Sequence, residues 1–194
     1  MKIIHHQHFI IHKPFGFLSQ FVNNQTKRKN KKLLGTLHSF PPGIMAIGRL
    51  DETSEGLLLL TTDGKVSELV RSKIVEKEYY VQLDGVITDQ AIYTLELGVT
   101  ITIHKKKYTT IPCKVKRLNP APSFSPRTRK IRDERHGPTS WISITLTEGK
   151  FRQVRKMTAA VGFPTLRLVR VRIGDLKLGN LAPGGVVEVK KLDF

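Results

Sequence analysis

The apolar residues of this chain fall mostly into short blocks bounded by glycine, proline and charged residues, a pattern of strands more than of long helices. His8 to His12 (HFIIH) is a strand candidate, closed by Lys13-Pro14-Phe15-Gly16, where proline and glycine interrupt regular pairing. Leu57 to Leu60 is continuously apolar between Gly56 and Asp63-Gly64, which predicts a buried strand ending in a turn. Lys65 to Arg71 predicts a short helix, and Leu33 to Phe40 a short helix or turn halted by Pro41-Pro42-Gly43. Lys77 to Leu83 (KEYYVQL) has the aromatic and β-branched content of a strand. Tyr79 and Tyr80 then face opposite sides, so one can enter the core while the other faces a site.

A helix follows from Ile87 to Leu97, with Thr88 as its cap and Gly98 as its stop. Val99 to Ile103 and Thr110 to Leu118 predict strands joined by a basic turn, His104 to Lys107. Trp141 to Leu146 predicts another strand, and Lys150 to Val161 a helix closed by Gly162. On that helix Phe151, Val154, Met157 and Val161 form the expected core stripe, while Arg152, Arg155 and Lys156 share a second face. The tail TLRLVRVRIG, DLKLGNL and GVVEV alternates strand-like pieces with glycines, and no internal repeat is visible. The expected class is α+β, a mixed, largely antiparallel β-sheet flanked by three or four helices. A chain of 194 residues accommodates one substantial core or two small lobes sharing a sheet.

Charge narrows the partners. Lys and Arg total 33 against 16 Asp and Glu, a formal net charge of +17, far more than solubility requires and suited to a polyanion. Nucleic acid is the first candidate. A membrane surface ranks well behind, because no basic amphipathic helix, long apolar run or lipidation motif is present. Cys113 is the only cysteine and the N-terminus has no secretory pattern, so no intrachain disulfide forms and a reducing cytoplasm fits. Cys113 lies in a strand-like stretch with no obvious base beside it, which favours a structural role. His5, His6, His8 and His12 are not read as a metal site, since no cysteine or carboxylate cluster accompanies them. Two basic stretches, Asn23 to Lys32 and the Pro- and Arg-rich insertion Asn119 to Pro138, read either as solvated loops or as phosphate-gripping arms.

The candidate chemistry centres on Asp51, in AIGRLDETSEGLLLLTTDGK, where a polar loop leads into the apolar block. A rigid strand beside a polar loop is a good mount for a reacting group. Spacing alone supports two readings, a nucleophile or an aspartate that ties down its own turn.

The ordered blocks HKPFG, GRLDETSEGLLLLTTDG, KEYYV, EGKFRQVRKM and TLRLVRVRIGDLKLGNLAPGG resemble the ribosomal-RNA pseudouridine synthases of the small-subunit synthase A family, over about Phe9 to Val189. Within it, GVTI, IRDER, PTSWISITL and VGFPTLRLVR are most similar to members acting on large-subunit rRNA. The resemblance implies a pseudouridine synthase catalytic fold with a central basic cleft. It makes Asp51 the catalytic aspartate, Tyr79 the tyrosine that packs on the target base and is expected to take part in proton transfer, and Arg155 the basic residue that pairs with the aspartate. Leu168 becomes the apolar residue closing the pocket, and Arg49, by analogy, the one filling the gap left by a flipped base. With the resemblance in view, Arg152 and Lys156 are expected to contact substrate RNA. The reaction it implies breaks the N1–C1′ bond, turns the uracil and joins C5 to C1′ without net redox change, so no cofactor or metal is expected. A uridine in structured RNA reaches such a pocket only by leaving its stack, so base flipping is expected.

Many family members carry an N-terminal RNA-binding module of the ribosomal S4 type, and this sequence is expected to lack it. RNA grip then falls to the catalytic domain, including Asn23 to Lys32, Lys105 to Lys107 and Arg127 to Arg135. A monomer is expected. The competing reading is a non-catalytic, basic RNA-binding or ribosome-assembly protein with the same fold. A hydrolase using Asp51 with Glu52 or Glu55 has little support, because sequence neighbours rarely give the separation an acid/base pair needs across a substrate.

Overall fold

The computed structural model describes residues 5–23, 30–71, 75–131 and 134–192. Its chain divides into two compact units, one of residues 1–75 and 170–194, the other of residues 76–169. The first unit opens with β1 (His8–Lys13), β2 (Phe17–Leu18), β3 (Lys32–Leu33), β4 (Met45–Ala46) and β5 (Glu55–Thr61), followed by helix α1 (Gly64–Arg71). Strand β1 runs antiparallel to β5, with Phe9 opposite Leu60 and His12 opposite Leu57. Every residue of β5 is buried, which is why its apolar block does not alternate with polar residues. The predicted turn at Asp63-Gly64 is the start of α1, where Asp63 Oδ1 accepts the Lys65 N–H at 2.8 Å and that bond holds the carboxyl below its usual range. The expected helix or turn after Leu33 is one short 3₁₀ turn, Leu34–Thr36.

The second unit contains β6 (Lys77–Asp84), α2 (Asp89–Leu97), β7 (Thr100–Ile103), β8 (Lys106–Thr109), β9 (Lys114–Arg117), β10 (Thr139–Leu146) and α3 (Gln153–Ala160). Strands β6, β10 and β9 are antiparallel neighbours with β10 in the middle. Thr88 caps α2 by accepting the Ala91 N–H at 3.2 Å, and Gly98 ends the helix at φ 100°, both as the sequence indicates. The core is built from Val81, Leu83, Leu95, Ile142, Ile144 and Met157 with their neighbours. Strand β11 (Thr165–Ile173) begins in this unit and ends in the first, where β12 (Leu176–Lys177) pairs with its end and β13 (Val186–Val189) pairs with β1. The result is an α+β fold with largely antiparallel pairing; β2 and β3 pair in parallel.

Three expectations change. The basic run Lys105 to Lys107 is not all turn: His104 and Lys105 form the turn, in left-handed conformations with φ 47° and 66°, and Lys106 and Lys107 open β8. Tyr108 on β8 packs toward the core, an alternation that the three lysines mask in the sequence. The helix expected from Lys150 begins only at Gln153, because Arg152 is left-handed at φ 53°. Phe151 therefore precedes the helix and is 56 % exposed instead of joining the core stripe, whereas Val154 and Met157 are buried as expected. In the insertion, Phe124 packs against Tyr80 and Trp141 with ring centroids 6.2 and 5.8 Å apart, so this part lies on the sheet. Residues 24–29 of the first basic stretch, and Arg132 and Asp133 of the second, lie outside the described residues.

Gly56 is closely confined within the first unit. Its φ is +104°, and a Cβ there would collide with the Arg170 backbone. Gly56→Ala is expected to lower unfolding free energy by roughly 2–4 kcal/mol, from backbone strain and the clash together. Gly64→Ala, at a residue whose Cβ would meet nothing within 4 Å, is the control. Chemical denaturation of the two variants checks this, and a Gly56→Ala midpoint equal to wild type would contradict the packing described.

Candidate active site

Asp51 sits in the segment joining β4 to β5, and the residue before it is clamped. Leu50 is buried, its N–H donates to Ser19 Oγ at 2.9 Å, and Ser19 Oγ donates back to the Leu50 carbonyl at 2.9 Å. The Asp51 carbonyl accepts the Ser54 N–H at 3.0 Å, closing a tight turn, and the Glu52 carbonyl accepts the Gly16 N–H at 2.8 Å. Glu52 takes its charge away from this turn to Lys31, with Nζ–O distances of 2.5 and 2.6 Å. Asp51 is thus half-buried on a turn fixed from three directions. Arg49 is exposed and lines a groove of about 490 Å³ with Ser19, Phe21, Gly48 and Arg71. Two guanidinium groups beside the Phe21 ring can take a phosphate and a base.

Lys13 is the residue whose part the sequence did not disclose. It ends β1, is completely buried, and its ammonium donates to the Pro14 and Phe17 carbonyls at 2.9 and 2.8 Å. Burial pulls it down from 10.5 to about 7, the carboxylates of Glu55, Asp51 and Glu52 hold it up, and Arg170 pushes it further down. A cation therefore lies within electrostatic reach of Asp51. The available signal was a lysine inside an apolar strand, directly before Pro14-Phe15-Gly16.

In the second unit, Tyr79 on β6 packs against the cluster that contains Leu168, Val154 and Met157, so Tyr79 and Leu168 belong to one packed group. Tyr80 takes the other face of β6, toward Phe124. Arg155, half-buried on α3, directs Nη1 at the Thr165 carbonyl at 3.4 Å. Thr158 and Thr165 hydroxyls, 2.7 Å apart, tie the same helix to the start of β11. Of the face expected for Arg152, Arg155 and Lys156, the last two lie on α3 and Arg152 is its N-cap, its carbonyl accepting the Lys156 N–H at 3.1 Å. Arg152 is exposed ahead of the helix, and Lys156 lies 5.0 Å over the Phe151 ring. Glu148, also missed, organises this region: its carboxylate accepts Gln153 Nε2 at 2.6 Å, Tyr108 Oη at 2.5 Å and the Ile111 N–H at 3.1 Å.

Other candidate groups have structural partners. Cys113 Sγ donates to the Leu95 carbonyl at 3.3 Å, and burial pushes its thiol up to about 12, which leaves no thiolate near neutrality. His8 Nδ1 lies 2.9 Å from Thr61 Oγ1 and His12 Nδ1 2.7 Å from the Leu181 carbonyl. No group of His, Cys, Asp or Glu among the described residues is placed to hold a metal ion.

Lys13 supplies a pH test. The unfolded chain, with a lysine near 10.5, binds the proton more tightly than the native chain near 7, so this group's contribution to stability rises with pH between those values. Lys13→Met removes the titration at similar volume. Wild type is expected to gain stability relative to Lys13→Met between pH 6 and pH 9.5, as read by denaturation at both; a difference independent of pH would contradict the buried, titrating lysine.

A family model described as RNA pseudouridylate synthase matches residues 7–160. The ribosomal large subunit pseudouridine synthase E of Xanthomonas axonopodis pv. citri is 42% identical over 178 residues, covering 90% of this chain and 89% of the relative. That of Vibrio parahaemolyticus is 39% identical over 189 residues, covering 93% of this chain and 73% of the relative. The crystal structure of a pseudouridylate synthase superposes with a TM-score of 0.75 at 25% identity, covering 97% of this chain and 72% of that chain. Matched in sequence over most of its length and in fold over nearly all of it, the chain belongs to the RNA pseudouridylate synthase family.

Proposed function

We propose that this protein isomerises uridine to pseudouridine in large-subunit ribosomal RNA, with Asp51 as the catalytic nucleophile. The observation that carries this reading is similarity spanning 90% of the chain to a large-subunit pseudouridine synthase. A net charge of +17 suits an RNA substrate. The reaction needs one ionised carboxylate. Asp51 attacks C1′ or the base, or assists departure of the uracil while a glycal-like species forms. The N1–C1′ bond breaks, the uracil turns, a C5–C1′ bond forms, the C5 proton leaves to solvent and N1 gains a proton. Substrate and product are isomers, so electrons balance without an oxidant or reductant.

The roles proposed for the other residues follow the family pattern. Tyr79 packs on the flipped uracil, offsetting part of the stacking lost when the base leaves the RNA helix, and its hydroxyl takes part in proton transfer at the base. Leu168 closes the apolar side of the base pocket, which its packing with Tyr79 supports. Arg155 supplies positive charge that keeps the carboxylate ionised during attack. Arg49 takes the RNA backbone or the gap in the stack, for which its exposed position on the groove is suited. Arg152 and Lys156 contact phosphates. A non-catalytic RNA-binding role would leave the clamp on Leu50, one residue before Asp51, without an evident purpose.

The test is tritium release from an unmodified large-subunit rRNA transcript labelled at uracil C5. Wild type is expected to release tritium, Asp51→Ala to fall at least about 10³-fold, and Tyr79→Phe to keep RNA affinity while losing rate. Absence of release by wild type would remove the isomerase reading, and release surviving Asp51→Ala would remove the assigned nucleophile.

A further inference from the structure

The patch around Phe151 is not accounted for by the proposed chemistry. Phe151 is 56 % exposed, yet its ring is ordered against another: His104 stacks on it with centroids 5.7 Å apart and planes 23° apart. Lys156 Nζ lies 5.0 Å from the Phe151 centroid, and Lys150 Nζ lies 4.8 Å over Tyr108 on the adjacent hairpin. Lys105, Lys106, Lys107 and Arg152 are exposed nearby in the chain. The one buried carboxylate here, Glu148, is engaged by Gln153, Tyr108 and the Ile111 N–H, so it fixes the base of the patch instead of neutralising its surface.

The backbone gives a second, independent observation. Among the described residues, the left-handed residues other than glycine are His104, Lys105 and Arg152, and all three border this patch. His104 and Lys105 are the two central residues of the β7–β8 hairpin, where paired positive φ is the ordinary turn geometry, so Arg152 is the departure that its surroundings must hold in place. Here they set the His104 ring over Phe151 and delay α3 until Gln153, leaving Phe151 outside the core.

We propose that the exposed Phe151–His104 stack is a platform for an unpaired base of the RNA substrate, with Lys150 and Lys156 drawing the adjoining phosphates. Lys156 Nζ lies over the Phe151 ring, so a base takes that face as the flexible ammonium swings to the adjoining phosphate; every base offers a π face and every linkage a charge, which is the chemistry of single-stranded nucleic-acid binding. A protein partner would call for a broader apolar face than one ring surrounded by lysines. The platform rests on the reading of RNA as substrate. It adds to that reading a second base contact, separate from the groups assigned to the reacting uridine.

Equilibrium binding of the full chain to an unmodified large-subunit rRNA transcript, at several salt concentrations, tests it. Phe151→Ala is expected to weaken binding about tenfold, with little change in salt slope, since a ring and not a charge is lost. Phe151→Trp should keep wild-type affinity, and His104→Ala should weaken binding less than Phe151→Ala. In turnover, the KM for RNA should rise more than kcat falls. If Phe151→Ala lowers the melting temperature, Phe151→Leu keeps apolar bulk while removing the ring and carries the same expectation. Unchanged affinity in these variants would overturn the proposal and leave the patch to a protein partner. Phe151→Trp failing as badly as Phe151→Ala would also overturn it, by showing that shape and not stacking matters. Wild type that binds RNA with this pattern but releases no tritium would remove the isomerase reading and leave the platform standing.

Discussion

The passage of β5 beside Arg170 is the constraint on which the first unit depends. Gly56 has φ +104° and no room for a Cβ against the Arg170 backbone, and Arg170 Nε donates to the Leu57 carbonyl at 2.7 Å. The strand is fixed at its first residues, and Asp51 lies five residues upstream of Gly56 on a turn that Ser19 clamps through Leu50. A short turn between a clamp and a buried strand holds the Asp51 backbone in one geometry, which is what the proposed role requires. The same crowding brings Lys13, Glu55 and Arg170 under the surface together. Buried charges are tolerated where carbonyls and opposite charges replace water. The Pro14 and Phe17 carbonyls do so for Lys13 and the Leu57 carbonyl for Arg170.

The second unit uses its sheet differently. On β6 the Tyr79 face packs into the core with Leu168, while the Tyr80 face meets Phe124 from the Pro- and Arg-rich insertion. Phe124 also lies under Arg167, whose guanidinium carbon is 5.3 Å from the ring and whose Nη2 donates to the Ser125 carbonyl at 2.9 Å. Part of a segment that composition alone marks as a loop is therefore anchored by the Phe124 ring and by the Arg167–Ser125 hydrogen bond. Sequence adjacency of Tyr79 and Tyr80 becomes a division of labour through the period of a strand.

What was legible in the sequence followed from local physics. The block Leu57 to Leu60 had to be buried on both faces, Thr88 and Gly98 bracket α2 by capping chemistry, and the blocks from HKPFG to LAPGG announced the family. What was missed depended on tertiary partners or on backbone conformations outside the usual regions. Nothing local indicates that Lys13 would find two carbonyls, or that Glu148 would join α3 to a hairpin. Phe151 satisfies helical spacing with Val154, but a left-handed Arg152 intervenes, so periodicity assigned to the core a ring that lies on the surface. The roles proposed for Asp51, Tyr79, Arg155 and Leu168 rest on resemblance, since spacing alone left Asp51 ambiguous.

The central claim is chemical, that this chain converts uridine to its C-glycoside through Asp51. Nucleoside analysis of an unmodified large-subunit rRNA transcript, digested after incubation with the protein, reads it most directly, because pseudouridine has the mass of uridine but separates from it chromatographically. The account predicts pseudouridine at a discrete position with wild type and none with Asp51→Asn. Uridine unchanged by wild type, or pseudouridine formed equally by Asp51→Asn, would contradict it.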